Sequence, residues 1–412
     1  LPNGGQATYT YDAASRLANL INKVNAASVS AFNYTYDNVG NRTSMTDNDG
    51  LNSYGYDNIY RLLSATHPQV ENQAESFSYD AVGNRLTDSS FSNWAYNANN
   101  QLTSYDSVTY TYDNNGNTIS KTDVSGTTYY DYDAENRLTR IDFPDGNYTG
   151  YKYDPFGRRI EKNVNGTITQ YLYDGEDILA EYNASGSRLA RYTHGPGIDE
   201  PLVMQRDGQN YYYHADGLGS ITELTDTSGA IVNSYVYNAF GKVVKETEGV
   251  ENPYVYTSRE KDKESNLYFY RARYYDASIG RFLSVDPIGF AGQDVNLYSY
   301  VGNNPIIYID PLGLFTAKGF AGVIIGGVGA ATKNPTLMVV GGAIVVWDWY
   351  ESIQEAKKTG EKLGEELQKD IDKNIDTDMD GMNDFIDDDD DNDGVPDESD
   401  PNPKNPEANP CP

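Results

Sequence analysis

The 412-residue chain has almost no cysteine: a single one, Cys411, stands next to the last residue. One thiol can close no internal disulfide and complete no zinc site, so neither supports the fold. Positive charge is also scarce, with 31 Lys and Arg against 61 Asp and Glu, a formal net charge of −30. A non-specific grip on DNA, RNA or an anionic membrane surface needs Lys and Arg, and the strong negative charge argues against it; nucleic-acid binding is the first class excluded, and no nucleic acid is expected as a partner. Histidine is rare, and neither His194 nor His214 has a Ser or Cys partner in a recognisable catalytic frame. Both read as core or turn residues. No Met begins the chain and no charged-then-apolar leader precedes Thr8, as expected of a processed or excised piece. The apolar fraction is low, 38%, yet the 37 Tyr, against 12 Phe, set the chain apart from disordered sequences, which lack aromatics.

Those tyrosines recur in a pattern. Tyr-Asp pairs occur at Tyr11, Tyr36, Tyr56, Tyr79, Tyr112, Tyr132, Tyr153 and Tyr173, with degenerate Tyr-Asn copies at Tyr96 and Tyr237. Such a period, near 20 residues, is the mark of a stacked repeat. In Tyr34-Thr35-Tyr36 the two rings lie two residues apart, so on a strand they share a face. Asp37 then opens a turn through Gly40, in which the Asp side chain accepts backbone N–H groups and Gly tolerates positive φ. Each unit is therefore a strand, a tight turn and a return strand. A lone hairpin is marginal in water, so the units must stack into one continuous curved sheet with ladders of Tyr rings. No segment of helical period interrupts residues 8–310. The competing reading, Tyr-Asp pairs scattered through a loop-rich chain, does not account for the matched turn residues.

This grammar resembles the YD-repeat (RHS) family of bacterial proteins over about residues 1–314. The resemblance implies hairpins wound into a hollow shell around a polypeptide cargo; about a dozen units imply a partial shell. The likeness sharpens after Tyr192, in His194-Gly195-Pro196-Gly197-Ile198-Asp199-Glu200-Pro201-Leu202 and Tyr213-His214-Ala215-Asp216-Gly217-Leu218-Gly219-Ser220. It continues through Tyr268 to Asp276, Gly280 to Gly289 and Asn303 to Leu314.

In the family, Asp-Pro-x-Gly-Leu marks a self-cleavage point, which on this chain implies scission between Leu314 and Phe315. Two Asp-Pro-x-Gly boxes begin at Asp286 and Asp310. If the fold brings their carboxylates together, like-charge repulsion keeps one protonated while the other ionises, the arrangement of an aspartyl dyad. One member can then activate water and the other donate to the carbonyl. Arg273 stands where the family carries a supporting Arg and is expected to hold one carboxylate ionised. The plainer alternative is that both boxes are ordinary corners of the sheet. Self-cleavage of this kind is intramolecular, and no turnover enzyme is implied.

Composition changes at Phe315. Residues 315–349 are apolar and Gly-rich, broken by Asn334-Pro335. Each half is shorter than the roughly 20 residues that cross a bilayer. A membrane-active helical hairpin, an apolar plug inside the shell and a buried hairpin of a small domain all fit. Residues 350–375 read as an amphipathic helix with i,i+4 charge pairs. Then Asp376, Asp378, Asp380, Asp384 and Asp387 are echoed thirteen residues on by Asp389, Asp391, Asp393, Asp397 and Asp400. Acidic side chains at loop positions 1, 3, 5, 9 and 12, Gly at 6, and a backbone carbonyl at 7 (Met382, Val395) match how Ca²⁺ collects oxygen ligands. With Asp rather than Glu at position 12 and no helix expected after Pro396, residues 376–412 resemble thrombospondin type 3 repeats more than an EF-hand; a solvated acidic tail is the alternative.

The expected fold is thus mainly β: a YD-repeat hairpin solenoid over 1–191, an RHS-associated core with the self-cleavage motif over 192–314, a small helical segment and an irregular calcium-binding tail. The expected protein is a secreted or cell-surface bacterial shell that releases its own C-terminal segment, toxin-like and membrane-active, with a target membrane and an immunity or chaperone protein as further partners. The alternative is an extracellular structural or adhesive scaffold, oligomeric or fibrous, with a calcium-stiffened tail and no enzymatic cargo.

Overall fold

Tyr-Asp pairs end strands. In the computed structural model, which describes residues 1–68, 74–292 and 294–314, Tyr11, Tyr36, Tyr56, Tyr79, Tyr112, Tyr132 and Tyr153 are each the last residue of a strand. At each of them the pairing register shifts by a bulge, which bends the strand into its turn. The turn chemistry is as expected. Asp37 Oδ1 accepts the N–H groups of Val39 (3.0 Å) and Asn41 (2.8 Å), and its Oδ2 accepts Asn41 Nδ2 at 2.8 Å. Where Arg replaces Asn41, as in Asp133–Arg137, the guanidinium Nε takes that place at 2.7 Å.

Two links between units were not legible in the pattern. The Tyr hydroxyl donates back to the carbonyl five residues past the turn residue of the preceding unit: Tyr36 to Leu17 (2.8 Å), Tyr79 to Leu62 (2.9 Å), Tyr153 to Leu138 (2.6 Å), Tyr173 to Arg159 (2.9 Å). In the other direction, Arg16, Arg61 and Arg137 each reach the backbone carbonyl of the next unit's Asp and lie about over the next unit's Tyr ring, 4.9, 5.0 and 5.1 Å from its centroid. Stacking is therefore hydrogen-bonded in both directions as well as apolar.

The expected single wall is in fact two sheets. Eight strands run in chain order from Gly5–Tyr11 to Arg85–Asp88, and sixteen from Ala95–Tyr96 to Val243–Glu248, all antiparallel to their chain neighbours. Neither sheet closes on itself. The break falls at the degenerate Tyr96-Asn97 copy, where the strand Ala95–Tyr96 is only two residues long and pairs on one side alone. The second sheet passes through residue 192 without interruption; short irregular structure begins after Glu248. No α-helix occurs among the described residues, only three 3-10 turns.

Residues 249–314 form a four-stranded sheet, Glu260–Asp262, Leu267–Tyr270, Arg273–Asp276 and Arg281–Phe282, with loops around it. This segment seats on the turns of both larger sheets. Asn304 Nδ2 donates to Tyr60 O (2.8 Å), Asn303 Nδ2 to Gly83 O (2.9 Å), and Tyr298 Oη to Gly116 O (2.7 Å). Gly116 has φ +86°, and a Cβ there would meet Val285 at 2.3 Å, so only glycine fits both the turn and the contact. The largest core cluster lies between this segment and the second sheet, where Tyr268, Tyr270, Tyr275 and Tyr300 are at most 1% exposed.

Candidate active site

The strands Leu267–Tyr270 and Arg273–Asp276 pair with Tyr270 opposite Arg273, so only Arg271 and Ala272 connect them. Arg271 adopts φ +53°, a left-handed conformation that costs a non-glycine residue energy and persists only where its surroundings impose it. From this hairpin Arg273 points inward, 2% exposed, with its guanidinium 3.7 Å from the Phe282 ring centroid. All three of its nitrogens are used. Nη2 donates to Asp286 Oδ2 at 2.9 Å and Asp310 Oδ2 at 3.4 Å, Nη1 to Leu297 O at 3.0 Å, and Nε to Gly313 O.

The two aspartates of the boxes and the arginine that the family resemblance implied therefore meet. Asp286 is 3% and Asp310 0% exposed. Because both share one guanidinium nitrogen, their carboxylate oxygens can be no farther apart than those two contacts laid end to end. Both boxes are also turns, as the plainer alternative held: Gly289 N–H donates to Asp286 O and Gly313 N–H to Asp310 O. The turns aim their carboxylates inward. Asp286 Oδ1 takes the Ile288 N–H at 3.0 Å, and Asp310 Oδ1 takes the Leu314 N–H at 3.1 Å. Burial pushes the Asp286 carboxyl above its ordinary range, against the pull of Arg273, and burial lowers Arg273 against the pull of Asp310 and Asp286. One cation faces two acids in a dry setting, which favours keeping a proton on the pair.

Residues 311–314 are gripped along their backbone by the same hairpin. Arg271 Nη1 donates to Pro311 O, Ala272 N–H to Leu312 O (3.2 Å), and Arg273 Nε to Gly313 O. Gly313 has φ +65°, and a Cβ there would lie 2.1 Å from Tyr270 O, so the close approach demands glycine. Sequence reasoning assigned no role to Arg271, Gly313 or Asp199. The only signal was their place inside motif strings, which says nothing of contacts.

His214 is 4% exposed and bonded to Thr225 Oγ1 at 2.9 Å, and His194 donates from Nε2 to Ile178 O at 2.9 Å; both are packing residues. Among the described residues no group of His, Cys, Asp or Glu could hold a metal ion, and no helix is long and apolar enough to cross a membrane. Phe315, the apolar and amphipathic segments and every calcium ligand expected between Asp376 and Asp400 lie outside the described residues.

A tyrosine-hairpin β repeat capped by an end segment with paired Asp-Pro-x-Gly turns defines a YD-shell type of protein. The Teneurin YD-shell family model matches residues 51–306, and the chain belongs to that family. The tRNA3(Ser)-specific nuclease WapA of Bacillus spizizenii is 35% identical over 287 residues, covering 65% of this chain and 12% of the relative. The double-stranded DNA deaminase toxin A of Burkholderia cenocepacia is 28% identical over 320 residues, 68% of this chain and 22% of the relative. The crystal structure of TcdB2-TccC3-Cdc42 shares the fold with a TM-score of 0.64 at 21% identity, over 76% of this chain and 18% of that one. The chain thus corresponds to only a small part of each of these proteins' length.

Proposed function

We propose that this chain is part of a bacterial toxin-delivery shell that cuts its own backbone after Leu314 and frees the segment that follows. The observation that carries the reading is the buried meeting of Arg273, Asp286 and Asp310 beside Leu314, whose N–H is held by Asp310. Asp310, whose Oδ1 accepts the N–H of Leu314 beside the bond to be cut, acts as the base that takes a proton from water. Asp286, which burial inclines to hold a proton, is the acid. Water oxygen bonds to the Leu314 carbonyl carbon, the bond to the Phe315 nitrogen breaks, and that nitrogen leaves with the proton. The products are a Leu314 carboxylate and a new amino terminus.

One relative named as a tRNA-specific nuclease and another named as a DNA deaminase toxin support a toxin as the released cargo. Secretion or surface display, membrane activity of residues 315–349, an immunity or chaperone partner, and assembly with other chains belong to the same reading. So do two Ca²⁺ ions on residues 376–400, supported by the thirteen-residue echo of their acids.

Mass spectrometry of the purified full chain tests the cut. A fragment beginning at Phe315 is expected from the natural sequence, and an intact chain from Asp310→Asn and Asp286→Asn. Processing that continues in either variant would remove the dyad. An uncut natural chain would favour the adhesive scaffold instead.

A further inference from the structure

The dyad by itself does not explain why one particular peptide bond would lie against it. Something must hold residues 311–314 in register, and the structure offers a device for this that no catalytic role requires. The Arg271-Ala272 connection lays three successive donors, from Arg271, Ala272 and Arg273, on three successive carbonyls, those of Pro311, Leu312 and Gly313. The first of these donors comes from a side chain in a strained left-handed residue. A strained conformation persists only where other contacts over-determine it.

The side-chain hydrogen bonds among them come from Asp199, in the loop between the strands Arg188–His194 and Pro201–Arg206 of the large sheet, with Glu176 Oε2 also 3.5 Å from Arg271 Nε. The Asp199 carboxylate, 6% exposed, accepts Arg271 Nη2 on Oδ1 at 2.8 Å and Arg271 Nη1 on Oδ2 at 3.2 Å. It also accepts Arg259 Nη1, whose Nη2 is committed to Glu260 and to Phe269 O. Asp199 itself sits at φ +55°. A two-pronged carboxylate–guanidinium pair fixes both the position and the plane of the guanidinium. One prong's nitrogen, Nη1, is the same atom that holds Pro311 O. A Lys could not serve both, since its ammonium lacks the planar fork.

We propose that Asp199 and Arg271 are positioning residues that hold residues 311–314 as an in-place substrate, so that the large sheet licenses the cut only when it has folded around the hairpin. Neither touches the carboxylates of the dyad. The inference rests on the self-cleavage reading for its consequence, but its geometry can be tested without any cleavage.

Two measurements on the full chain separate the possibilities. In cell-free synthesis followed over time, Arg271→Ala should slow processing by about 30-fold and Asp199→Asn by about tenfold, because a displaced reacting group loses proximity without losing its chemistry. Arg271→Lys should recover only a minor part of the loss. The pH profile of the residual processing should keep the natural shape, since the titrating acids are untouched. In the uncut Asp286→Asn background, hydrogen exchange at the Gly313 and Leu314 amides should rise when Arg271→Ala is added, with the strands Leu267–Tyr270 and Arg273–Asp276 unchanged. If Arg271→Ala fails to fold, Asp199→Asn decides by the same two readouts. Processing within twofold of the natural rate, or unchanged exchange at Gly313 and Leu314, overturns the clamp. A natural chain that is never cut overturns the self-cleavage reading, and the exchange result then judges the clamp alone.

Discussion

The repeat sheets and the segment 249–314 both handle charged side chains, and they do so over different distances along the chain. In the sheets, Asp133 is satisfied by Glu135 and Arg137 within its own turn, and Arg137 reaches one unit on to Asp154. In the end segment, Asp262 is buried at 1% exposure and satisfied by Arg159, Lys162 and Tyr151 from the large sheet. Likewise Arg281 and Asn296 both converge on Asn84 of the other sheet. Local satisfaction makes each repeat interchangeable and tolerant of loss. Satisfaction across the fold makes each partner irreplaceable, because its loss leaves a dry charge without its counterpart.

The comparison predicts unequal damage. Arg159→Met should be the most destructive, costing about 3–5 kcal/mol, since it leaves Asp262 buried and under-compensated in the core. A lowered urea midpoint with loss of the tyrosine near-ultraviolet signal would report it; a loss below about 1 kcal/mol would place this ion cluster with the dispensable surface pairs.

Next comes the buried His214. Burial holds its imidazole down at about 4, against an ordinary 6.5. Between those values the unfolded chain takes up a proton that the folded chain refuses, so stability is lost as pH falls through that window, by up to about 3 kcal/mol. His214→Gln should flatten this acid limb. Glu223, pushed up to about 7 by burial, has the opposite sign: the folded chain keeps a proton that the unfolded chain has lost, so stability falls as pH rises toward 7. Comparing melting temperatures at pH 4.5 and 7 in the two single variants, His214→Gln and Glu223→Gln, separates the terms.

The smallest effect belongs to the repeats. Asp133→Ala removes three hydrogen bonds but exposes their donors to water, so a loss of about 1–2 kcal/mol is expected. Asp57→Ala should match it, because Asp57 has the same partners in Ile59 and Arg61. A much larger loss at one of the two would break the equivalence of the units and tie that turn to the end segment.

Much of the repeat was readable because its causes are close together in the chain. The alternation in Tyr34-Thr35-Tyr36 announced a strand, and Asp37 with Gly40 announced the turn. The hydroxyl link from Tyr153 to Leu138 was not readable, because stacking order decides which carbonyl a phenol meets. At the site, Asp286, Asp310 and Arg273 were chosen by likeness to a family, and the boxes alone fitted a sheet corner equally well. Asp199 was invisible: it sits 72 residues from Arg271, and nothing in its own neighbourhood names a partner.

By itself, then, the order of residues determined the unit: a strand ending in Tyr, a bulge, an Asp-held turn and a return strand, because every bond that makes it lies within one hairpin or reaches one neighbouring unit. Only the tertiary structure decided that the wall divides in two, that the end segment seats on the turns of both halves, and that two acids share one buried guanidinium beside Leu314. Those arrangements depend on which faces are left to pack once the hairpins have formed, and that choice is made among surfaces tens to hundreds of residues apart.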